Sequence, residues 1–435
     1  MKTRRPLLAA LILLSALLCA CTPSDKAVIL VPTPVQTHDS AFDPTPAPVD
    51  VDFSACTQAL EAVPFSPYEW ELPIEISMYS SWADALPTGP VEMACAMQNM
   101  QGVVFVGTEE DGRQFLAAID LKHAEAKRLY TLEAGMRVTS LVQTKKYGRA
   151  DENGAFTWTE TDGDTWRLRL YDERLTGDPA ADAALLSETT LEQGALSQGD
   201  AFLPAQSSAE LADDLLTFAL LSQGEPTLRT ASHGGVSYPL PGAEPVCYAG
   251  APVCKVGEWN LVYLEERDGV RYFCFAALDE GAQRFAEAFR ASYRLPEGEE
   301  IVQILEMHMD SPSAWRICFR TSAGKIYWHE RRADGTADTR LVAADVVAAE
   351  GTLYADAFAI STQQSRLVRF RSDQETLKEF FLDRGDMPAE LTAITAAYTG
   401  EYAHEPYGIF VFAVAEGKPR LFHMEIDSEG REASN

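Results

Sequence analysis

Beyond residue 90 the apolar positions fall in short runs rich in Val, Ile, Phe, Tyr, Trp and Thr, broken by Gly and Asp. Several of these runs alternate in polarity with a period of two, the signature of strands joined by hairpins. One unit recurs: an apolar strand, a tight turn, an alternating strand, then a polar corner and a weaker strand. Its instances begin at Val103, Ala155, Leu215, Trp259, Trp315, Ala357 and Ile409. In six of the seven the turn holds a glycine (Gly112, Gly163, Gly224, Gly269, Gly324 and Gly417), whereas the sixth instance has Gln363-Gln364. Asp-Gly and related pairs favour the primed turns of two-residue hairpins. A further strand candidate precedes each hairpin, as in "VEMACAM" from Val91, "VTSLV" from Val138, "IVQILEM" from Ile301 and "LTAITAA" from Leu391.

Four strands per unit, recurring every 40 to 60 residues or about that, match the blades of a propeller. The pattern predicts an all-β fold, a β-propeller of seven four-stranded blades over residues 53–435. Six or eight blades are the alternatives, because residues 192–213 are irregular, and paired β-sandwiches are the alternative fold. The seventh unit has only "SEGREASN" after its third strand. An open outer edge invites pairing with other chains, so "LPIEISMYSS" from Leu72 is predicted to become the missing fourth strand and close the ring.

The first fifty residues follow another pattern. "MKTRR" is basic, and residues 6–18 are apolar apart from Ser15. Basic, then apolar, then small is the layout of an export signal. The apolar run is shorter than the roughly 20 residues that a membrane-crossing helix needs. It ends in Leu18-Cys19-Ala20-Cys21, which resembles the lipobox of bacterial lipoproteins. The resemblance implies that residues 1–20 are a signal peptide, that Cys19 leaves with it, and that Cys21 is acylated on sulfur as the first residue of the mature chain. An ordinary secretory signal cut near Ala20 is the alternative. Residues 21–52, rich in Pro, Thr and Asp, read as an extended tether. The expected location is the extracytoplasmic face of a cell membrane, held there by a lipid anchor.

A formal net charge of −29 disfavours nucleic acid, whose binding is driven by Lys and Arg neutralising phosphates. Export permits disulfides. Cys247 and Cys254 flank a Gly- and Pro-containing turn and are one candidate bridge; Cys56 with Cys95 is the other, stapling the N-terminal segment to the first blade. Cys274 and Cys318, within apolar strands, read as buried thiols. No Cys-x-x-Cys pair occurs, and neither a metal nor another cofactor is expected. "EMHMD" puts Glu306 and His308 on one face of an inner strand, near Asp310, where they would line the channel. The loop "YTGEYAHEPY" gathers Tyr398, Tyr402, His404 and Tyr407, rings of the kind that stack on sugars or anchor partners. Acids crowd the hairpins at Glu109, Glu110 and Asp111, at Asp162 and Asp164, and at Glu265, Glu266 and Asp268. They read as turn formers and surface charge, with a negative ring on one rim as the alternative.

"FLAAIDLKHAEAKRLYTL" (115–132) resembles repeats of quinoprotein-like and Tol-type envelope propellers, which implies architecture only. "TETDGDTW" (159–166) resembles the Asp-box of sialidase-like propellers at Thr159, Gly163, Thr165 and Trp166, but Thr161 stands where that motif has Asp. No catalytic residue is predicted. The expectation is a non-catalytic propeller scaffold for a protein or glycan ligand. The alternative is an extracellular glycan-acting enzyme, sialidase-like or another propeller hydrolase.

Overall fold

A computed structural model describes the chain between Val51 and Ile426, apart from internal gaps of which the longer are 65–74, 97–101, 145–154, 172–180, 204–208, 222–226, 231–236, 382–388 and 399–406. All seven expected hairpins form. Their strand pairs are Gly102–Thr108 with Gln114–Asp120, Ala155–Thr161 with Thr165–Leu170, and Asp214–Leu221 with Thr227–Thr230. Next come Asn260–Arg267 with Val270–Asp279 and Ala314–Thr321 with Ile326–Arg331. Asp356–Ser361 with Arg366–Arg371 and Tyr407–Ala415 with Lys418–Ile426 complete the series. The turns vary more than expected. A two-residue turn joins Arg267 to Val270, where Asp268 and Gly269 both have positive φ (53° and 74°). The turn after Thr108 is longer, with the N–H of Glu109 donating to the Arg113 carbonyl at 2.8 Å.

Among the described residues these hairpins belong to three five-stranded sheets, four four-stranded sheets and a separate two-stranded ribbon. The sheets follow one another as up-and-down meanders. The first strands of neighbouring sheets touch: Ala94–Ala96 meets Arg137–Thr144, Cys254–Gly257 meets Ile301–Ser311, and Ile301–Ser311 meets Val346–Gly351. Val346–Gly351 in turn meets Ala389–Tyr398, which returns to Ala94–Ala96. At that last contact the N–H of Ala96 donates to Thr395 Oγ1 at 3.0 Å. Sheets radiating from a ring of inner strands make a β-propeller. Five blades are described through their packed side chains: the sheets built around Gly102–Thr108, Ala155–Thr161, Asn260–Arg267, Ala314–Thr321 and Tyr407–Ala415. The expected count of seven adds the sheets around Asp214–Leu221 and Asp356–Ser361, whose side chains lie outside the description.

Apolar side chains fill the spaces between sheets. Val104, Leu116, Tyr130, Phe156 and Trp158 pack between the first two sheets. Val262, Phe273, Phe275, Trp315, Phe319 and Tyr327 pack between the sheets of Asn260–Arg267 and Ala314–Thr321. At the next seam Gly324 permits a close approach to the Val346–Gly351 strand: its φ is +68°, and a Cβ would sit 2.8 Å from the Val346 carbonyl oxygen.

The N-terminal segment does more than close the ring. Glu75–Tyr79 pairs antiparallel with Lys418–Ile426, as expected, and supplies the outer strand of the last sheet. Before that, the same segment runs along the outer strands of three preceding sheets. Val51–Asp52 pairs parallel with Tyr293 and Arg294, Ala59 with Leu341, and Val63–Pro64 with Lys378 and Glu379. It also drives side chains into the seams. Phe53, fully buried, packs edge-on to Phe273, Phe319, Tyr327 and His329 at centroid distances of 4.9 to 6.3 Å. Leu60 packs beside Leu305, Trp328 and Val346. Trp82 packs edge-on to Phe105 and Phe412 at 5.1 and 5.9 Å, where the first sheet meets the last.

This route corrects the expected Cys56–Cys95 disulfide. Neither cysteine is in a disulfide. Cys56 rides on the strap beside the Ala337–Ala343 strand, with Sγ 3.4 Å from the Thr339 carbonyl oxygen. Cys95 is buried on an innermost strand of the first sheet. One thiol is at the periphery and the other at the hub. Cys274 and Cys318 are buried and in no disulfide, as expected.

Phe53 is the deepest anchor of the strap. Phe53→Ala should destabilise the protein by about 3–5 kcal/mol, the usual cost of removing a fully buried phenyl ring, and Phe53→Leu by clearly less. Urea denaturation followed by tryptophan fluorescence measures this. A loss below about 1 kcal/mol would show that the strap is held by its backbone pairing alone.

Candidate functional site

Strand direction reverses at every step of a meander, so the turns fall on two rims. Turns from first to second strand lie on one rim and those from second to third on the other. The acid-rich hairpins belong to the second set, and several of their acids are engaged locally. Glu109 pairs with Arg128 and, at 3.1 Å, with Arg113. Asp111 takes Arg113 Nε at 2.7 Å. Asp162 accepts the N–H groups of Asp164 and Thr165 at 2.9 and 2.7 Å, and these bonds hold its carboxyl below the usual range. The segment that resembles an Asp-box is therefore a capped turn, with Thr161 Oγ1 donating to the Thr165 carbonyl at 2.6 Å and Trp166 buried behind it. Asp279 and Asp334 cap turns in the same way, through the N–H groups of Ala282 and Thr336.

The first-to-second rim carries the predicted binding residues that the structure describes. Tyr398 and Tyr407 end their strands directly opposite one another; Tyr402 and His404 lie outside the described residues. On the same rim Ile301–Ser311 ends in exposed His308 and Asp310, with His308 Nε2 2.8 Å from Asp310 Oδ1. Glu306 does not join them at the surface. It is buried, and Arg316 Nε donates to its Oε1 at 2.5 Å. The register is unbroken from Glu306, opposite Cys318, to His308, opposite Arg316, so the two share a face as expected, with Glu306 the buried one and His308 the exposed one.

Of the cysteine candidates, Cys247 sits opposite Pro252 in the two-stranded ribbon and Cys254 opposite Tyr263 on an inner strand. Their side chains lie outside the described residues, as does Cys21.

The sequence reading missed two charge networks set between the sheets. In the second sheet, fully buried Glu160 accepts from Arg169 Nε at 2.7 Å and from Trp158 Nε1 at 3.2 Å. Arg169 also donates to Thr190 Oγ1 at 2.7 Å, and Arg167 joins Glu133 through two bonds of 2.8 and 3.3 Å. In the sheet of Asn260–Arg267, fully buried Glu265 takes the Glu244 N–H at 2.8 Å and Arg267 Nη2 at 3.1 Å. Arg290 forks onto Glu287 at 2.8 and 2.5 Å nearby. Burial pushes the Cys274 thiol up, and the carboxylates of Glu265 and Glu287 push it further. A signal was present in both runs. In "FTWTET" and "LVYLEE" the acid falls in phase with Trp158 or Tyr263, on the face that alternation assigns to the interior.

Two histidines are also interior. His329 holds Nδ1 2.7 Å from Thr339 Oγ1 and packs against Trp315 at 4.7 Å. Burial pushes its pKa down from 6.5 to about 4, with Arg331 adding to the fall and Asp338 opposing it. His423 stacks on Phe410 at 4.7 Å, and burial alone takes it to about 4.

No protein-family model and no curated protein matches the chain. Among solved structures it is similar to a streptogramin B lyase, at 11% identity and a TM-score of 0.40, over 81% of this chain and 98% of that one. It is similar to the WD40 β-propeller domain of Doa1 at the same identity and TM-score, over 77% and 93%. An uncharacterised Listeria monocytogenes EGD-e protein, lmo1340, gives 9% identity and 0.40 over 80% and 97%. The fold assignment rests on the strand order and the ring of inner strands.

Two predictions follow from the buried groups. His329 and His423 have folded pKa values below their unfolded ones, so their neutral forms contribute fully above about pH 6.5, and that contribution is lost as pH falls toward 4. The loss is on the order of 3 kcal/mol for each. Urea midpoints at pH 7 and pH 4.5 should show a fall that shrinks in His329→Gln; an equal fall in the variant would remove His329 as a cause. For the ion pair, Glu160→Ala leaves Arg169 buried without its carboxylate and should cost about 3–5 kcal/mol. A cycle of Glu160→Leu and Arg169→Met should give a coupling energy of about 1–3 kcal/mol, whereas strict additivity would show that the two do not act as a pair.

Proposed function

We propose that this protein is a binding scaffold held on the extracytoplasmic face of a membrane, a seven-bladed propeller lipidated at Cys21 and lifted on the tether of residues 21–52. Its ligand is a protein or a glycan, engaged by the rim that carries the first-to-second turns. The observation that carries the reading is the sharing of that rim by Tyr398, directly opposite Tyr407, and by exposed His308 and Asp310. Tyrosine is an amphipathic residue suited to binding surfaces, and a His–carboxylate pair on the same rim donates and accepts hydrogen bonds. The opposite rim is less suited to a partner, because its hairpin acids are largely taken by neighbouring arginines and turn N–H groups. The strong negative charge of the chain favours a basic or neutral ligand over an anionic one.

Two experiments test this. Cys21→Ser should move the full-length chain from the membrane fraction to the soluble fraction; unchanged membrane retention would remove the lipid anchor from the reading. Crosslinking on intact cells should capture one ligand with the wild-type chain and at least about tenfold less of it with Tyr398→Ser/Tyr407→Ser, a loss typical of hot-spot aromatics. A Glu110→Lys/Asp111→Lys variant, altered on the other rim, should capture it normally. Equal capture by all three would overturn the rim assignment. Turnover of a glycan by the purified chain, abolished by a single substitution, would overturn the non-catalytic reading.

A further inference from the structure

The sheet of Asn260–Arg267 has two unlike faces. Val262, Leu264, Phe273 and Phe275 form the apolar face on which Phe53 packs. The opposite face carries Tyr263, Glu265 and Arg267 from one strand, Tyr272 and Cys274 from the next, and Arg290 from the outer strand, directly across from Cys274. A β-bulge then adds Glu287. Phe275 pairs with Phe289, but Ala276 pairs with Glu287, so Ala288 is the extra residue. Without it Glu287 would fall on the face of Phe289, among the phenyl rings; the bulge turns it onto the face of Cys274.

One ligand atom from each of Glu265, Cys274 and Glu287 lies within 4.8 Å of the other two. Both Glu265 and Cys274 are fully buried. The Oε1 of Glu265 is held by the Glu244 N–H, which fixes the carboxylate, while Oε2 accepts no hydrogen bond. Oε2 meets only charge, with Arg267 Nη2 at 2.8 Å and Arg290 Nη1 at 3.5 Å. The Cys274 thiol is free and has no hydrogen-bond partner among the described residues. A buried thiol and a buried carboxylate oxygen that accepts no hydrogen bond and is held only by ion pairing therefore lie close to a third, partly exposed carboxylate.

We propose that Glu265, Cys274 and Glu287 form a binding site for a thiophilic divalent cation, zinc(II) by its donor set, with water as the fourth ligand. Three oxygen donors would suit calcium or magnesium; replacing one with a thiol selects zinc instead. Sulfur, two carboxylates and water make the four-coordinate shell that zinc adopts. Binding removes the Cys274 proton to solvent, after which three negative ligands face two positive charges. Without the cation, Arg267 and Arg290 neutralise the carboxylates. Their side chains are 39% and 26% exposed, so both can turn outward as the ion enters. The site lies on the face of one sheet rather than on the rim proposed to bind the ligand, so each reading stands or fails on its own experiment.

The test uses the reduced, metal-free full-length protein titrated with cobalt(II), which reports a bound thiolate by a charge-transfer band in the near ultraviolet. The wild-type chain should show this band at one equivalent, and zinc(II) should displace it and raise the melting temperature. Cys274→Ser should abolish the band, while Cys318→Ser, which alters a buried thiol of the next sheet, should keep it. Glu287→Gln changes a partly exposed residue and keeps the thiol. It should weaken cobalt binding at least about tenfold, the lower end of what even an outer-shell change costs. Absence of the band in the wild type, its survival in Cys274→Ser, or unchanged affinity in Glu287→Gln would each overturn the site. Should Cys274→Ser fail to fold, the Glu287→Gln titration decides.

Discussion

The outer edge of every blade is a row of backbone donors and acceptors with no neighbour inside the ring, and the N-terminal strap is how this protein covers several of them. Parallel pairing along the strands ending near Arg294, Leu341 and Glu379, then antiparallel pairing with Lys418–Ile426, gives four consecutive sheets an added neighbour. Such covering removes templates for edge-to-edge association. The strap reaches inward as well, because Phe53, Leu60 and Trp82 each enter a seam between sheets. Sheets that would otherwise touch mainly through their own apolar faces are thus also held by one continuous peptide. Many weak pairings become one cooperative attachment.

Within the seams the chain tolerates charge only under strict conditions. Glu160 and Glu265 occupy corresponding places, each near the end of the second strand of its sheet and each fully buried. Each meets a guanidinium and a further hydrogen-bond donor, Trp158 for one and the Glu244 backbone for the other. An isolated buried carboxylate would be too costly to keep ionised. The pairs also discriminate between registers. A slip of one residue would turn the acid and its arginine onto the opposite face, among apolar side chains with no partner.

Much of the fold was legible because strands have a period of two and turns need glycine. The seven hairpins, the strands before them and the closing role of Glu75–Tyr79 all followed from those two constraints. The parallel strap did not. Its pairings involve one or two residues at a time, too few to show any periodicity, and "FSACTQALEAVP" carries no alternation. That also explains the mistaken Cys56–Cys95 bridge: with the route unknown, nearness in sequence stood in for nearness in space. At the candidate site, Tyr398, Tyr407 and His308 could be placed on one rim because turn order alone sets the rims. Glu306 does share a face with His308, as alternation predicts, but its burial against Arg316 is set by the neighbouring strand and not by its own pattern. Glu287 was hidden because the bulge at Ala288 breaks the alternation along its strand.

The strap also sets the order in which this molecule is completed. Val51 has no partner until Tyr293 exists, and Glu75 has none until Glu425 does. A chain that emerges N-terminus first must therefore keep fully buried Phe53 unpacked until Phe273, Phe319 and Tyr327 have arrived, and leave the seam at Trp82 incomplete until Phe412 has. Contacts of such sequence separation form late and slowly, and unpaired strands are vulnerable in the interval. The strap is made before the sheets it joins and is completed only after them.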